Sequence, residues 1–238
     1  MRWLVATVAE TVPETARAVT LRLDVPDWPA HRAGQHVDVR LTAEDGYSTQ
    51  RSYSIASPPG SERLELTVER IDDGEVSPYL TTVADVGDQF ELRGPIGGWF
   101  VWDGTDTAPV LLLVGGGSGV VPLRAMLRHH AASGSTAAMH LVYSARTLGD
   151  VIYRRELEAM AGPRRAVTLT LTREPDWAGH RGRVDAGLLA EVGWPPSVQP
   201  HCYVCGPTAF VEAVADVLVG LGHEPGRIRT VRFGPTGG

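Results

Sequence analysis

Lysine is absent from this sequence of 238 residues, so all 22 of its basic residues are arginines. Schiff-base enzymes, pyridoxal phosphate enzymes and Walker-type phosphate loops all depend on a lysine side chain. Whether codon preference or selection produced the bias, its consequence is the same. The sequence excludes these three classes of mechanism.

Cysteine is almost as scarce, since Cys202 and Cys205 are the only two in the sequence. Two cysteines in a Cys-x-x-Cys pair do not make a disulfide framework, which agrees with a reducing compartment. Such a pair also occurs in redox centres and zinc sites, but only His201 stands nearby, short of the four ligands of structural zinc. We therefore predict no metal site.

Long apolar runs and an excess of positive charge are missing as well. No stretch approaches the roughly 20 apolar residues of a transmembrane helix, and Met1–Val8 alternates like a strand instead of following the layout of a signal peptide. The formal net charge of -6 argues against nucleic acid as a partner. We expect a cytoplasmic protein that binds neither membranes nor nucleic acid.

Two kinds of hydrophobic pattern divide the chain, which is longer than the roughly 100–150 residues of a typical domain. Residues 1–103 carry short alternating segments between turn residues, which predicts an antiparallel barrel or sandwich. Residues 104–238 alternate strand and helix, beginning with the wholly apolar Val110–Val114, which predicts a parallel α/β sheet. The polar segment Trp102–Pro109 marks the boundary.

The pattern also predicts individual elements. In the first region the predicted strands are Ala18–Val25, His36–Leu41, Arg51–Ala56, Arg63–Ile71 and Gln89–Arg93. In the second they are Val110–Val114, Ala138–Ser144, Ala166–Thr172, Cys202–Cys205 and Ile228–Phe233. Helices are predicted from Pro122 onward and over Val151–Met160, Ala186–Val192 and Thr208–Leu221.

The segment Arg51–Ser54 combines a cation, an aromatic ring and a hydroxyl in one predicted strand. Because side chains alternate along a strand, Arg51 and Tyr53 share one face and Ser54 lies on the other. A guanidinium beside a ring suits a ligand that is both anionic and planar, such as a flavin nucleotide. Taken alone, Tyr53 would more often be an ordinary half-buried strand residue.

A second nucleotide-like signal is Gly115–Gly119, a glycine loop between a buried strand and a helix, where backbone N–H groups can hold pyrophosphate. The loop departs from the G-x-G-x-x-G fingerprint at Val120, and the next strand does not end in an acidic residue. That strand ends in Ser144 and Arg146, which favours the 2′-phosphate of NADPH. Simple exposure of Arg146 to water explains the residue equally well.

In this order the motifs resemble the ferredoxin–NADP⁺ reductase superfamily, in which a Greek-key flavin-binding barrel precedes a nicotinamide nucleotide domain. Arg51–Ser54 is similar to the family's Arg-x-Tyr-Ser/Thr signature, and Ala33–Val37 to its Pro-Gly-Gln segment with alanine for proline. The resemblance implies that Arg51 meets the flavin phosphate, that Tyr53 packs on the isoalloxazine ring and that Ser54 hydrogen-bonds near N5.

The resemblance extends along the rest of the chain. Val68–Arg70 and Gly74–Ser77 resemble the segment around the flavin pyrophosphate, and Gly94–Phe100 fits the family's end-of-barrel pattern. The further cofactor-binding residues that it implies in the barrel are Val68, Gly74, Val76 and Ser77. Those in the second domain are Gly117, Ser118, Gly119, Ser144, Arg146, Gly206, Pro207 and Phe233.

Cys205–Pro207 resembles the family's cysteine motif beside the nicotinamide ring. The resemblance makes Ser54 and Cys205 the catalytic residues, lining the gap between flavin and nicotinamide. Phe233 would cover the flavin ring ahead of a loose tail, Gly234–Gly238. Near that aromatic residue, Val231 stands where relatives commonly have a glutamate.

The implied function is hydride transfer from NAD(P)H to bound FAD, followed by single-electron transfer to a separate iron–sulfur protein. The natural setting is the reductase component of an oxygenase system. The sequence lacks the four cysteines of a [2Fe–2S] module, so the electrons leave to another molecule. FAD is favoured over FMN and NADPH over NADH.

Two other functions stay open at this point. A flavin reductase would use flavin as a substrate and release it reduced. A non-catalytic redox or nucleotide sensor on the same scaffold gains support from Val231. The arginine pairs Arg154/Arg155 and Arg164/Arg165 are either solvated surface or a docking patch for an acidic electron carrier.

Overall fold

The computed structural model describes residues 1–104 and 109–234. The chain divides into two compact units, Met1–Trp102 (unit 1) and Asp103–Gly238 (unit 2). Each unit contains one six-stranded sheet. Residues 105–108 of the polar segment and residues 235–238 of the expected tail lie outside the described residues.

Unit 1 is an antiparallel, barrel-like sheet. Its elements are β1 (Leu4–Pro13), β2 (Ala18–Asp24), β3 (His36–Thr42), β4 (Ser48–Ser54), β5 (Leu64–Glu69), helix α1 (Val76–Thr82) and β6 (Gln89–Ile96). The strands lie in the order β4-β3-β6-β1-β2-β5. A single bridge between Ile55 and Leu66 joins the end of β4 to β5, so the two outer strands of the sheet meet.

Alternation explains how these strands form the core of unit 1. On β3, Val37 and Val39 are completely buried, whereas His36, Asp38 and Arg40 on the other face are partly exposed. The sequence did not predict α1, which has only seven residues and contains a proline. Its Val76 and Leu80 pack into the same core and anchor the helix against the sheet.

Unit 2 is a parallel sheet flanked by helices. Its elements are β7 (Val110–Gly116), α2 (Val120–Ser133), β8 (Ala138–Ala145), α3 (Arg154–Met160), β9 (Arg165–Leu171), β10 (His180–Arg181), α4 (Ala186–Val192), β11 (His201–Pro207), α5 (Thr208–Gly220) and β12 (Ile228–Phe233). The strand order is β10-β9-β8-β7-β11-β12, which reverses direction between β7 and β11. Such a reversal is where open α/β sheets bind ligands, at the carboxyl ends of the strands.

Local sequence accounts for most boundaries in unit 2. The four residues Leu111–Val114 are fully buried, as expected of a parallel strand with both faces covered. Helix α4 begins where the Asp185 carboxylate accepts a hydrogen bond from the Leu188 N–H at 2.8 Å. The helix predicted from Val151 begins only at Arg154, because Tyr153 has a left-handed backbone with φ of 60°.

The predicted strands overlap closely with the observed ones in both units. The helix expected to open at Pro122 begins at Val120, directly after a 3₁₀ turn over Gly117–Gly119. Within the described parts of the chain, every helix is too short or too polar to cross a bilayer.

Candidate functional site

Arg51 lies on β4 with its side chain exposed. Its Nη1 donates to the Gln50 carbonyl at 2.7 Å and to Thr49 Oγ1 at 3.5 Å. Among the described residues no carboxylate forms an ion pair with it. A guanidinium with only local hydrogen bonds keeps donors for an anionic ligand, which fits a flavin phosphate.

The pairing of β3 with β4 separates the other two residues of this motif. Tyr53 lies opposite Val37 and packs against the core, whereas Ser54 lies opposite His36 on the other face. Burial raises the pKa of Tyr53, so its phenol is neutral at physiological pH. Both side chains are half-buried, which leaves part of each accessible to a ligand.

The segment before α1 forms a tight turn close to β4 and β5. The Ile71 N–H donates to Ser77 Oγ at 3.1 Å, and the Gly74 N–H donates to the Ile71 carbonyl at 2.9 Å. A Cβ on Gly74 would lie 3.1 Å from both Ile71 O and Ser77 Oγ, so a larger residue would crowd the turn. Helix α1 contacts both β4 and β5.

The residues implied in this region differ in what they offer a cofactor. Val68 and Val76 are completely buried core residues, so their side chains are not available to it. Ser77 is 5% exposed and accepts the Ile71 hydrogen bond, which leaves its hydroxyl proton for donation. The backbone of Gly74 and the hydroxyl of Ser77 are therefore the groups of this turn suited to a pyrophosphate.

A cavity of about 470 Å³ lies at the other end of β4. Its lining includes Thr49, Tyr47, Tyr79 and Glu75, and the Tyr47 hydroxyl donates to the Glu75 carboxylate at 3.1 Å. None of the residues predicted to bind flavin lines it. Its link to them is the hydrogen bond between Arg51 and Thr49.

In unit 2 the two glycine motifs meet at the strand-order reversal. Gly115 of β7 pairs with Cys205 of β11. A Cβ on Gly119 would overlap the Cys205 carbonyl, and one on Gly206 would lie 2.8 Å from the Phe210 ring and 3.2 Å from the Gly116 carbonyl. The two segments pack backbone against backbone, which only glycine permits.

The start of α2 offers backbone donors beside this contact. The 3₁₀ turn Gly117–Gly119 leads directly into the 14-residue helix, whose N-cap residue is Gly119, a residue with no side chain to cap it. Gly117 has a φ of 55°, a left-handed conformation that favours glycine. Backbone N–H groups at the start of a helix suit a nucleotide pyrophosphate.

Cys205 lies in β11 with its side chain completely buried. Burial raises its pKa, so the side chain is a neutral thiol at physiological pH. On the neighbouring strand β12, Cys205 pairs with Val231 and Pro207 pairs with Phe233. The resemblance implies that Val231, next to Cys205, stands where relatives commonly carry a glutamate, and valine offers no carboxylate there.

Ser144 lies near the carboxyl end of β8, and Arg146 directly follows that strand. Ser144 pairs with Gly116 of the glycine loop, and Arg146 is exposed. A second exposed arginine that the sequence reading missed, Arg173, follows β9, and its N–H donates to the Arg146 carbonyl at 2.7 Å. The signal was available in the sequence, because each arginine comes within two residues of the end of one of two consecutive parallel strands.

Comparison with known proteins agrees with both units. The protein-family model of the oxidoreductase FAD-binding domain matches residues 5–101. The family model of the oxidoreductase NAD-binding domain matches residues 113–216. Ferredoxin–NADP reductase B of Sorangium cellulosum is 38% identical over 212 residues, which cover 84% of this chain and 84% of that protein. The chain belongs to the ferredoxin–NADP⁺ reductase-like superfamily. It is an oxidoreductase with an FAD-binding domain and a pyridine nucleotide domain.

Two further proteins similar to this ferredoxin reductase-like chain extend the comparison. The glycine betaine monooxygenase reductase subunit of Pseudomonas aeruginosa is 32% identical over 227 residues, 92% of this chain but 61% of that protein. The chain thus spans 61% of that relative's length. The flavohem-like FAD/NAD-binding domain of nitric oxide dioxygenase from Vibrio cholerae has a TM-score of 0.86 at 26% identity, covering 98% of this chain and 99% of that one. The predicted fold class is confirmed.

Proposed function

We propose that this chain accepts hydride from NAD(P)H on bound FAD and passes the electrons singly to an iron–sulfur protein, as the reductase component of an oxygenase system. The similarity to an oxygenase reductase subunit over 92% of the chain carries the proposal. Flavin supplies the conversion of a two-electron donor into one-electron transfers. The sequence has two cysteines where a cluster needs four, so the iron–sulfur centre lies outside it.

In unit 1 we assign the flavin to the carboxyl-terminal half of β4, from Arg51 to Ser54, and to the turn before α1. The exposed guanidinium of Arg51 pairs with the phosphate, and Ser77 donates its hydroxyl to the same group. Tyr53 presents its ring to the isoalloxazine, and Ser54 presents its hydroxyl to N5. The cavity beside Thr49 provides room for an adenosine group, which supports FAD over FMN.

In unit 2 we assign the pyridine nucleotide to the edge where the two glycine motifs meet. Gly117, Ser118 and Gly119 hold the pyrophosphate, and Gly206 and Pro207 border the nicotinamide beside Cys205. Two exposed arginines, Arg146 and Arg173, favour a 2′-phosphate and hence NADPH. The roles of Cys205 and Phe233 beside the reacting rings stay predictions.

An anaerobic titration of the purified protein with NADPH, and separately with NADH, tests this function. We expect a protein-bound flavin whose visible absorbance is bleached by NADPH at lower concentration than by NADH. A protein that binds no added flavin would refute the proposal. Flavin that leaves the protein once reduced would identify a flavin reductase instead.

A redox or nucleotide sensor is the second candidate, favoured by Val231 beside Cys205 where a carboxylate is lacking. It requires stoichiometric flavin and nucleotide binding with no oxidation of NADPH by ferricyanide or by any iron–sulfur acceptor. We also propose a cytoplasmic location, which the free thiols Cys202 and Cys205 support.

A further inference from the structure

A buried cation lies on helix α2, just over one turn after Gly119. The side chain of Arg124 is only 4% exposed, and a buried charge is rare in a protein unless an opposite charge pairs with it. Its partner is Glu156 of α3, whose Oε2 accepts from Arg124 Nε at 2.9 Å and from Nη2 at 2.7 Å. Two charge-assisted hydrogen bonds to one carboxylate fix the direction of the guanidinium group.

The same guanidinium group covers the ring of Tyr153, the residue that precedes α3. The Cζ atom of Arg124 lies 4.2 Å from the ring centroid, which is within the range of a cation–π contact. Tyr153 is buried and has a left-handed backbone with φ of 60°. A bulky residue keeps that conformation only where its surroundings hold it. Arg124 is therefore part of what holds Tyr153 in place.

Tyr153 ends the segment that begins with Arg146. This segment, residues 146–153, connects β8 to α3 and is called the β8–α3 loop below. Its last three residues are buried, and the Ile152 N–H donates to the Tyr143 hydroxyl at 3.2 Å. The loop is thus fixed against the sheet and α2 at its end, whereas Arg146 at its start is exposed.

Hydrogen bonds inside the β8–α3 loop make it a short and well-ordered link. The N–H and Oγ1 of Thr147 donate to Asp150 Oδ2 at 3.1 Å and 2.7 Å. The Leu148 N–H donates to Glu174 Oε2 at 3.0 Å, which ties the loop to the segment after β9. Because the loop is short and internally bonded, a displacement at its buried end also moves Arg146.

Resting on the proposed function, we infer that Arg124 is a positioning residue that sets the place of Arg146 at the 2′-phosphate of NADPH. It acts through Tyr153 and Glu156 and does not itself contact the nucleotide. The preference for NADPH then depends on a side chain of α2, the helix whose start we assign to the pyrophosphate. The two parts of the nucleotide site are joined through this buried ion pair.

R124M removes the charge and the hydrogen-bond donors while it keeps most of the length of the side chain. Glu156 keeps a partner in this variant, because its Oε1 pairs with Arg128 Nε at 2.7 Å. R124M therefore avoids the large cost of leaving a buried charge unpaired. R124K is a second variant, since lysine retains the charge but lacks the planar fork of arginine. It takes the place of R124M if that variant does not fold.

The experiment measures the binding of NADP⁺ and NAD⁺ to the flavin-loaded protein by titration calorimetry. The two nucleotides differ only in the 2′-phosphate, and neither reduces the oxidised flavin. We expect R124M to bind NADP⁺ about 3- to 10-fold more weakly than the wild type, because residues that act through others commonly have effects of this size. The affinity for NAD⁺ should be unchanged, and R124K should lie between R124M and the wild type.

A double-variant cycle shows which group transmits the effect. If Arg124 acts through Arg146, R124M/R146A should bind NADP⁺ no more weakly than R146A alone. A merely structural defect would instead add to the loss in R146A. It would also weaken NAD⁺, because both nucleotides use the glycine loop.

The matched control is R154M. Arg154 directly follows Tyr153, is exposed, and pairs with Glu158 of the same helix at 3.0 Å. R154M changes the net charge by as much as R124M but leaves the pairing of α2 with α3 intact. It should bind both nucleotides like the wild type.

Four results would overturn the inference. They are an unchanged affinity for NADP⁺ in the folded Arg124 variant, equal weakening of NADP⁺ and NAD⁺, a further loss in the double variant, and an equal effect in R154M. Failure of the proposed function looks different, because the flavin would then not be reduced by either nucleotide or would pass no electrons to an iron–sulfur protein. Binding of NADP⁺ needs no turnover, so the role of Arg124 is tested in that case too.

Discussion

The two units differ in the groups they offer a cofactor. In unit 1 these groups are side chains of one strand, namely Arg51, Tyr53 and Ser54. At the strand-order reversal of unit 2 they are mainly backbone groups of closely packed glycines. Among the described residues, Arg51 hydrogen-bonds only to its neighbours Thr49 and Gln50, but Gly119 and Gly206 are in close contact with the opposing backbone. A side-chain site can lose a ligand group and keep its fold. A backbone site cannot, because the packing of its glycines is part of the fold.

The sharpest test of this difference is G119A. The added Cβ would overlap the Cys205 carbonyl, so β11 and α2 must move apart at a cost of about 3 kcal/mol or more. We expect a much lower melting temperature in calorimetry and no NADPH binding. G149A is the matched control in unit 2, since its nearest neighbour outside the adjoining residues is Thr147 Oγ1 at 3.7 Å. Wild-type melting of G119A would contradict the backbone contact.

R51A should show the opposite behaviour. Loss of a charge-assisted hydrogen bond to phosphate lowers flavin affinity by about 10- to 100-fold, while the melting temperature of the flavin-free protein stays constant. Fluorescence titration with FAD measures the affinity. The control is R63A, which removes an exposed ion pair with Asp24 in the same unit. Equal FAD affinity in R51A and R63A would remove Arg51 from the flavin site.

The third test concerns the one part of the unit 2 site that relies on side chains. R146A and R173A should each weaken NADPH binding by about tenfold and leave NADH binding unchanged, because only NADPH carries the 2′-phosphate. Dissociation constants for both nucleotides measure this effect. R155A, an exposed arginine at the start of α3, is the control. If NADH weakens equally, the arginines do not contact a 2′-phosphate.

The smallest expected effect is on stability in acid. Burial opposes the shift, yet hydrogen bonds from Ser52 and Arg93 and the charge of Arg93 lower the pKa of Asp38. A carboxylate with a lowered folded-state pKa stabilises the fold above its unfolded pKa of about 3.9, and this stability is lost as the pH falls through the folded value. D38N should reduce this acid-induced loss in the free energy of unfolding by about 1 kcal/mol or less, as measured by urea unfolding at several pH values. D27N, at an exposed ion pair with Arg2, is the control, and an equal reduction there would contradict the prediction.

The sequence predicted the strands well because both sheets have simple hydrophobic periods, alternating in unit 1 and continuous in unit 2. Helix α1 was not predicted because Val76 and Leu80 give only one turn of helical spacing, and Pro78 between them argues against a helix. Helix α3 starts later than predicted because Tyr153 has a left-handed backbone conformation, and the local sequence does not predict that conformation.

Site residues were predictable where a motif is contiguous and missed where the fold assembles it. Arg51–Ser54 stand together in the sequence, but the ion pair between Arg124 and Glu156 exists only in the packing of α2 against α3. The complete burial of Cys205 follows from its place between β7 and β12. The proximity of Arg146 and Arg173 likewise requires two neighbouring strands to end together.

The bridge between Ile55 and Leu66 joins the outer strands of unit 1 at one point, immediately after Ser54. Within residues 1–104 and 109–234, the rest of β4 pairs with β3 alone, so its other side remains a sheet edge, the kind of surface on which copies of a protein aggregate. Polar residues such as Gln50 and Ser52 and the charge of Arg51 make that edge unattractive to another strand. The polar and charged residues of this strand thus also lower the tendency of its edge to pair with another strand.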